Sequence, residues 1–170
     1  HMNRNDFALL KQGIIYFDNG ATTLKPRILS EVTADYYNNY SANAHRSDYD
    51  ISLKVDTKYE ETRELIRKFI NADRIEEIVF TSGTTDSINK LIFGYYKYVL
   101  KEGDEVLLTE AEHASNILPW FELAVILKIK IKYIELDSDL KVTVENFKKA
   151  ITKNTKVVSI AHITNVVGDI

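Results

Sequence analysis

The protein has 170 residues, of which 45% are hydrophobic and 28% charged, and its net charge at pH 7 is −3. This balance is typical of a globular protein and does not favour a nucleic-acid partner. The sequence contains no apolar run that approaches a membrane span and no secretory signal pattern. It also contains no cysteine, which excludes disulfides, thiolate metal ligands and a thiol nucleophile within these residues.

The first half of the chain predicts one short strand followed by two helices. The apolar residues 13–17 favour a strand, which would end at the Asp-Asn-Gly turn signal of residues 18–20. Pro26 is well placed as the first residue of a helix that would continue to about Tyr40. Apolar residues at helical spacing predict a second helix over residues 52–70, with its charged side chains facing solvent.

The second half predicts strands and helices in alternation. The strands are expected at residues 78–80, 105–109, 128–136 and 156–161, and the helices at residues 88–99, 117–127 and 144–151. This alternation is typical of a three-layer α/β fold with a mainly parallel sheet. Polar loops follow three of the strands, at residues 81–85, 110–116 and 162–168. Ligands of such sheets bind beyond the carboxyl ends of the strands, so these loops are expected to converge on one site.

The stretch from residue 80 to residue 89 is the strongest single candidate for a binding site. Its predicted strand ends at Phe80, and Gly83, Thr84 and Thr85 lead into a helix, so free N–H groups and two hydroxyls would lie at the positive end of the helix dipole. These groups could hold a phosphate. The simpler alternative is that Thr84 or Thr85 caps the helix and that Asp86 opposes the dipole. The stretch is not a Walker loop, and no G-x-G-x-x-G fingerprint occurs in the chain.

Five blocks of sequence, in order and over nearly the whole chain, resemble one enzyme family. They are residues 16–26 (YFDNGATTLKP), 43–46 (NAHR), 81–89 (TSGTTDSIN), 112–120 (EHASNILPW) and 162–168 (HITNVVG). Together they resemble the cysteine desulfurase and selenocysteine lyase family, which are class V, fold type I enzymes dependent on pyridoxal 5'-phosphate. Within that family the resemblance is to the desulfurases that mobilise sulfur for iron–sulfur cluster assembly.

The resemblance implies how the chain would bind the cofactor. Gly83, Thr84 and Thr85 would hold the phosphate, His113 would lie flat against the pyridine ring, and Asn165 would donate a hydrogen bond to the ring hydroxyl oxygen. From the residues alone, His113 could equally be a loop residue that caps the helix at Asn116. Asn165 could equally be a turn residue.

The resemblance also implies a substrate side of the site. Asn19, Gly20, Ala21 and His45 correspond to loops that line the amino-acid substrate, although His45 could equally be a surface residue with no ligand. No metal site is predicted, because no short spacing places two histidines on one helix face.

The resemblance further implies that residues 1–170 form only the N-terminal part of the large domain, with a tag remnant and an N-terminal arm in residues 1–15. The rest of the large domain and the small domain would be absent, and with them the family's Schiff-base lysine, catalytic cysteine and substrate-binding arginine. We therefore expect the 170-residue chain alone to be inactive. Its uncovered apolar surfaces would favour self-association.

For the parent protein, the resemblance implies conversion of L-cysteine to alanine with formation of an enzyme persulfide. It further implies a sulfur-acceptor protein, a homo-oligomer and a cytoplasmic location, with neither a nucleic acid nor a membrane as partner. Ser82 and Ala114 stand where relatives often carry Arg and His. Three alternatives remain open: another class V enzyme such as a selenocysteine lyase or an aminotransferase, a non-catalytic phosphate-binding or interaction module, and an unrelated nucleotide-binding domain.

Overall fold

The structure is a computed structural model that describes residues 3–44 and 48–168. The chain divides into two compact units, His1–Phe80 and Thr81–Ile170. No helix in the described part of the chain is both long enough and apolar enough to cross a membrane.

The first unit is helical. Two short 3-10 turns, Arg4–Asp6 and Ala8–Gln12, precede helix α1 (Arg27–Asn39) and helix α2 (Asp50–Phe69), and a third 3-10 turn follows at Ile75–Glu77. Both predicted helices are therefore confirmed to within two residues. Pro26 was predicted to be the first residue of α1, but it is the N-cap. Its backbone is extended, and the helix begins at Arg27.

Two strands predicted in this unit are wrong. Residues 13–17 and 78–80 form no strand in the structure, although Ile78 is extended. A strand needs a neighbour to receive its backbone hydrogen bonds, and the described part of this unit contains no strand at all. Phe17 is 91% exposed, and the backbone after it is shaped by Tyr16, whose hydroxyl donates to the carbonyl of Thr22 at 2.5 Å.

Helix α2 has little apolar packing of its own within the first unit. The apolar face predicted from its spacing is largely exposed, with Leu65 67% and Phe69 90% accessible. The fully buried residue of the helix is Ser52, whose hydroxyl donates to the carbonyl of Asn43 at 2.8 Å. Arg63 ties the helix to the following turn by donating to the carbonyl of Ile78.

The second unit contains a sheet of three strands, which are parallel as predicted. Its strands are β1 (Glu105–Thr109), β2 (Lys130–Ile134) and β3 (Thr155–Val158), in the order β2-β1-β3. The three apolar residues of β1, residues 106–108, are 0% exposed, which places β1 at the centre with both faces covered. The lysine-rich strand β2 lies at an edge of this sheet.

The helices of the second unit are α3 (Thr84–Leu91), α4 (Lys97–Val99), α5 (Ala114–Leu127) and α6 (Val144–Ala150). A wider π-helical turn, Ile92–Tyr96, joins α3 to α4. Helix α5 contributes Trp120 and Leu123 to the core that packs against β1.

The π-helical turn affects which residues between Ile88 and Leu100 pack against the core. Leu91, Tyr95 and Val99 share the helical spacing of an apolar face with Ile88, and yet all three are exposed. Residues 88, 92, 96 and 100, which lie four apart, are in the core or packed against it, and Phe93 packs beside them. In an α-helix of 3.6 residues per turn, residues four apart move gradually around the helix axis. The wider π-helical turn holds more residues per turn, so it brings these residues back to the same face.

Candidate functional site

Three loops line one cavity of about 500 Å³ in the second unit, and two of them follow the carboxyl ends of strands β1 and β3. The first loop leads into α3, the second connects β1 to α5, and the third follows β3. The lining residues are Ser82, Gly83, Thr84, Thr85, Asp86, Ala111, His113, Ser115, Ala161, Ile163 and Asn165. The structure thus brings together all five residues that the sequence suggested for the cofactor.

The first loop presents backbone donors because of the conformation of Gly83. This residue is the N-cap of α3 with φ 153° and ψ 177°, a region open almost only to glycine, and no side chain caps the helix. The alternative in which Thr84 or Thr85 caps the helix is therefore wrong. The first turn leaves the N–H groups of Thr84 and Thr85 without intrahelical acceptors, and both residues are exposed.

The carboxylate of Asp86 is bound within the same loop and its helix, by Ser82 and Lys90. Its carboxylate accepts from the N–H of Ser82 at 3.1 Å and pairs with Lys90 at 2.5 Å. The hydrogen bond from Lys90 and that from Ser82 hold the pKa of Asp86 below its ordinary value. The local negative charge is thus balanced by Lys90.

The donors of the first loop fit a phosphate. Thr84 and Thr85 offer amide N–H groups and hydroxyls at the positive end of a helix dipole, and Gly83 places no side chain between them and the cavity.

His113 is both the N-cap of α5 and part of the cavity wall. Its Nδ1 accepts from the N–H of Ser115 at 3.2 Å and lies 2.8 Å from the hydroxyl of the same residue. Because Nδ1 is the acceptor, the proton of the neutral ring lies on Nε2. The capping interpretation is therefore confirmed, although α5 begins at Ala114. The capping bond also restricts the orientation of the ring.

Asn165 lies in the third loop, in a turn closed by its neighbours. The hydroxyl of Thr164 accepts from the N–H groups of Val167 and Gly168, both at 3.3 Å. Gly168 has φ 72°, a left-handed conformation that favours glycine. The turn interpretation of Asn165 is thus confirmed, and its side chain still lines the cavity.

Glu112 is the residue that the sequence reasoning missed. It is only 8% exposed, and its carboxylate accepts from the hydroxyl of Thr109 at 3.0 Å and the amide of Asn116 at 2.8 Å. The N–H of Ala161 donates to both carboxylate oxygens, at 2.9 and 3.0 Å. A charged residue directly after a buried strand was the available signal, but the spacing alone does not indicate that the side chain turns inwards.

The substrate-side residues lie in the first unit. Asn19 lines a separate cavity of about 180 Å³ that Tyr16 also lines. Gly20 and Ala21 lie in an exposed turn, in which the N–H of Ala21 donates to the carbonyl of Asp18 at 3.2 Å. His45 lies outside the described residues.

A parallel sheet with a cavity beyond the carboxyl ends of its strands has the architecture of the α/β proteins. Residues 15–170 match the model of the aminotransferase class-V family, and the chain belongs to that family. It is 44% identical to a probable cysteine desulfurase of Borreliella burgdorferi over 98% of its own length.

Solved structures support the same relationship. The chain matches a cysteine desulfurase from Thermococcus onnurineus, in its apo form, with a TM-score of 0.89 and 38% identity over 99% of the chain. It matches the cysteine desulfurase CsdA from Escherichia coli with a TM-score of 0.85 and 31% identity, again over 99% of the chain. The chain spans 41% of the Borreliella relative and 42% and 43% of these two structures. The predicted family and fold class are confirmed.

Proposed function

We propose that this chain supplies the phosphate- and ring-binding part of the pyridoxal phosphate site of a cysteine desulfurase. The observation that carries the proposal is that Gly83, Thr84, Thr85, His113 and Asn165 line a single cavity. The relatives that it matches over nearly its whole length are named as cysteine desulfurases.

Each of these residues has a distinct task in the proposed site. The N–H groups and hydroxyls of Thr84 and Thr85 bind the phosphate. His113 is held by its bond to Ser115 and presents its ring to the pyridine ring. The amide of Asn165 donates to the ring hydroxyl oxygen. When bound, pyridoxal phosphate supplies an electron sink for bond breaking at the substrate α-carbon.

The proposed reaction of the parent protein converts L-cysteine to alanine and leaves the sulfur as a persulfide on an enzyme thiol. The 170 residues contain no cysteine, so that thiol comes from outside them, and we propose the same for the lysine that links the cofactor. In this proposal the chain is the first part of the large domain, and Asn19, Gly20, Ala21 and His45 serve the substrate side. A sulfur-acceptor protein, a role in iron–sulfur cluster assembly, a homo-oligomer and a cytoplasmic location belong to the same proposal.

A double variant, Thr84→Val with Thr85→Val, tests the phosphate assignment. Hydrogen bonds to a charged group contribute about 1.5–3 kcal/mol each, so the affinity for pyridoxal phosphate should fall at least about tenfold. The backbone N–H groups remain and should leave residual binding. Affinity is measured by calorimetry, with pyridoxal, which lacks the phosphate, as a second ligand whose binding should not change.

The matched control is Thr57→Val with Thr62→Val on α2. There the two hydroxyls donate to the helix carbonyls of Leu53 and Lys58, at 2.9 and 2.7 Å. This control should bind pyridoxal phosphate like the wild type. Unchanged affinity in the Thr84/Thr85 variant, or an equal loss in the control, would refute the assignment.

A further inference from the structure

The carboxylate of Glu112 is buried beside the cavity and does not line it. It receives three neutral donors, the hydroxyl of Thr109, the side-chain amide of Asn116 and the backbone N–H of Ala161. No cation is within ion-pair distance in the described part of the chain. Burying a carboxylate is costly unless donors satisfy it, so this arrangement fixes the positions of all three donors relative to one another.

The three donors come from three different elements that meet at the cavity. Thr109 ends β1, Asn116 lies in the first turn of α5, and Ala161 follows β3. A second pair of bonds reinforces the junction: Asn116 donates to the carbonyl of Ser159 at 3.0 Å, and the hydroxyl of Ser159 donates to Asn116 Oδ1 at 2.6 Å. Glu112 thereby joins the end of β1, the start of α5 and the loop after β3.

The junction controls two residues that line the cavity from opposite loops. His113 follows Glu112 directly, and Asn165 lies four residues after Ala161 in the same loop. The bonds to Glu112 therefore restrict the two loops that carry His113 and Asn165. The phosphate-binding loop of Thr84 and Thr85 makes no hydrogen bond to this junction among those of the described residues.

We propose that Glu112 is a positioning residue that sets the distance between His113 and Asn165 and so aligns the ring-binding half of the cavity. This inference rests on the proposed function, because the ring is that of pyridoxal phosphate. Its consequence is selective: loss of the Glu112 carboxylate disturbs binding of the ring and leaves binding of a bare phosphate intact.

The first variant is Glu112→Ala, which leaves the donors without an acceptor. Affinity for pyridoxal phosphate should fall about tenfold or more, as expected when binding groups lose their preorganised positions, and affinity for inorganic phosphate should stay within about twofold. The conservative variant Glu112→Gln should bind pyridoxal phosphate nearly as tightly as the wild type. The hydroxyl of Thr109 can turn and accept from the new amide, and the remaining oxygen can accept from Asn116 and Ala161.

A second variant guards against simple misfolding of Glu112→Ala. Glu112→Gln combined with Thr109→Val keeps both side-chain volumes but leaves the new amide without an acceptor, so it should bind pyridoxal phosphate more weakly than Glu112→Gln alone. The control is Glu122→Ala, which removes an exposed carboxylate from α5 outside the cavity. It should bind both ligands like the wild type.

Amide hydrogen exchange at Ala161 gives a readout that does not depend on any ligand. Exchange should accelerate about tenfold or more in Glu112→Ala, since its N–H loses both acceptor oxygens. If the wild type binds no pyridoxal phosphate, the proposed function fails, and the positioning role is then supported or overturned by this exchange measurement alone. Unchanged affinity for pyridoxal phosphate in Glu112→Ala, an equal loss for inorganic phosphate, or an equal loss in Glu122→Ala overturns the inference.

Discussion

Gly83 is the residue at which a single methyl group should have the largest effect on the phosphate loop. Its φ of 153° and ψ of 177° lie in a region open almost only to glycine. A Cβ added there would meet no atom within 4 Å, so the penalty for Gly83→Ala arises from the backbone and not from a collision. Such strain costs about 1–3 kcal/mol.

That penalty acts on binding through the conformation of the loop. If the alanine backbone relaxes, the loop no longer aims the N–H groups of Thr84 and Thr85 into the cavity. The fraction of molecules with a loop that can bind then falls by the factor that corresponds to the strain energy. A cost of about 1–3 kcal/mol corresponds to about a five- to 150-fold weaker apparent affinity for pyridoxal phosphate. Calorimetric titration and denaturant unfolding of the same samples show whether the cost appears in binding, in stability or in both.

Gly94 supplies the matched control. It lies in the π-helical turn without a positive φ, and a Cβ there also meets no atom within 4 Å. Gly94→Ala should therefore leave affinity unchanged and raise stability by up to about 0.5–1 kcal/mol, since alanine loses less entropy than glycine in a helical conformation. The reasoning would be refuted by a Gly83→Ala protein with wild-type affinity and stability, or by equal losses in both variants.

Two further predictions concern stability. The hydroxyl of Thr152, at 2.6 Å, and the charge of Lys132 hold the pKa of Glu105 below its ordinary value of 4.5. Glu105 therefore stabilises the fold above about pH 4.5 and loses that contribution as the pH falls through its folded-state pKa. Denaturant unfolding from pH 7 to pH 3 should show a smaller acid loss for Glu105→Gln, and identical profiles would contradict this. Leu140 has φ 62° and is 56% exposed, so Leu140→Asn should raise the free energy of unfolding by about 1 kcal/mol. Leu118 is exposed on the ordinary helix α5, so Leu118→Asn should give no gain.

Self-association of the chain stays a prediction, and the exposed apolar residues of α2 and α5 are the surfaces expected to mediate it. Leu65 and Phe69 of α2 are exposed, as are Leu118 and Val125 of α5. Sedimentation velocity at increasing concentration measures it. A single monomeric boundary throughout would contradict the expectation.

Local sequence was sufficient wherever a segment's structure depends on its own residues. Helix α1 follows from Pro26 at its start, α2 from its apolar spacing, β1 from its apolar residues, and the turn at Asn165 from its own turn residues. The resemblance of the five blocks also identified the residues that line the cavity. The predictions failed where an element depends on a neighbour, as at residues 13–17 and 78–80, which form strands only when another strand pairs with them.

The sequence by itself determined the alternation of strands and helices, the glycine at the start of α3 and the family to which the chain belongs. These properties are local, because they depend on periodicity, backbone freedom and the identity of neighbouring residues. Tertiary structure alone decided that α3 widens into a π-helical turn and that Glu112 turns inwards to bind Ala161, 49 residues further along the chain. Such contacts depend on which groups the folded sheet brings within hydrogen-bond distance, and no local pattern in the sequence encodes that distance.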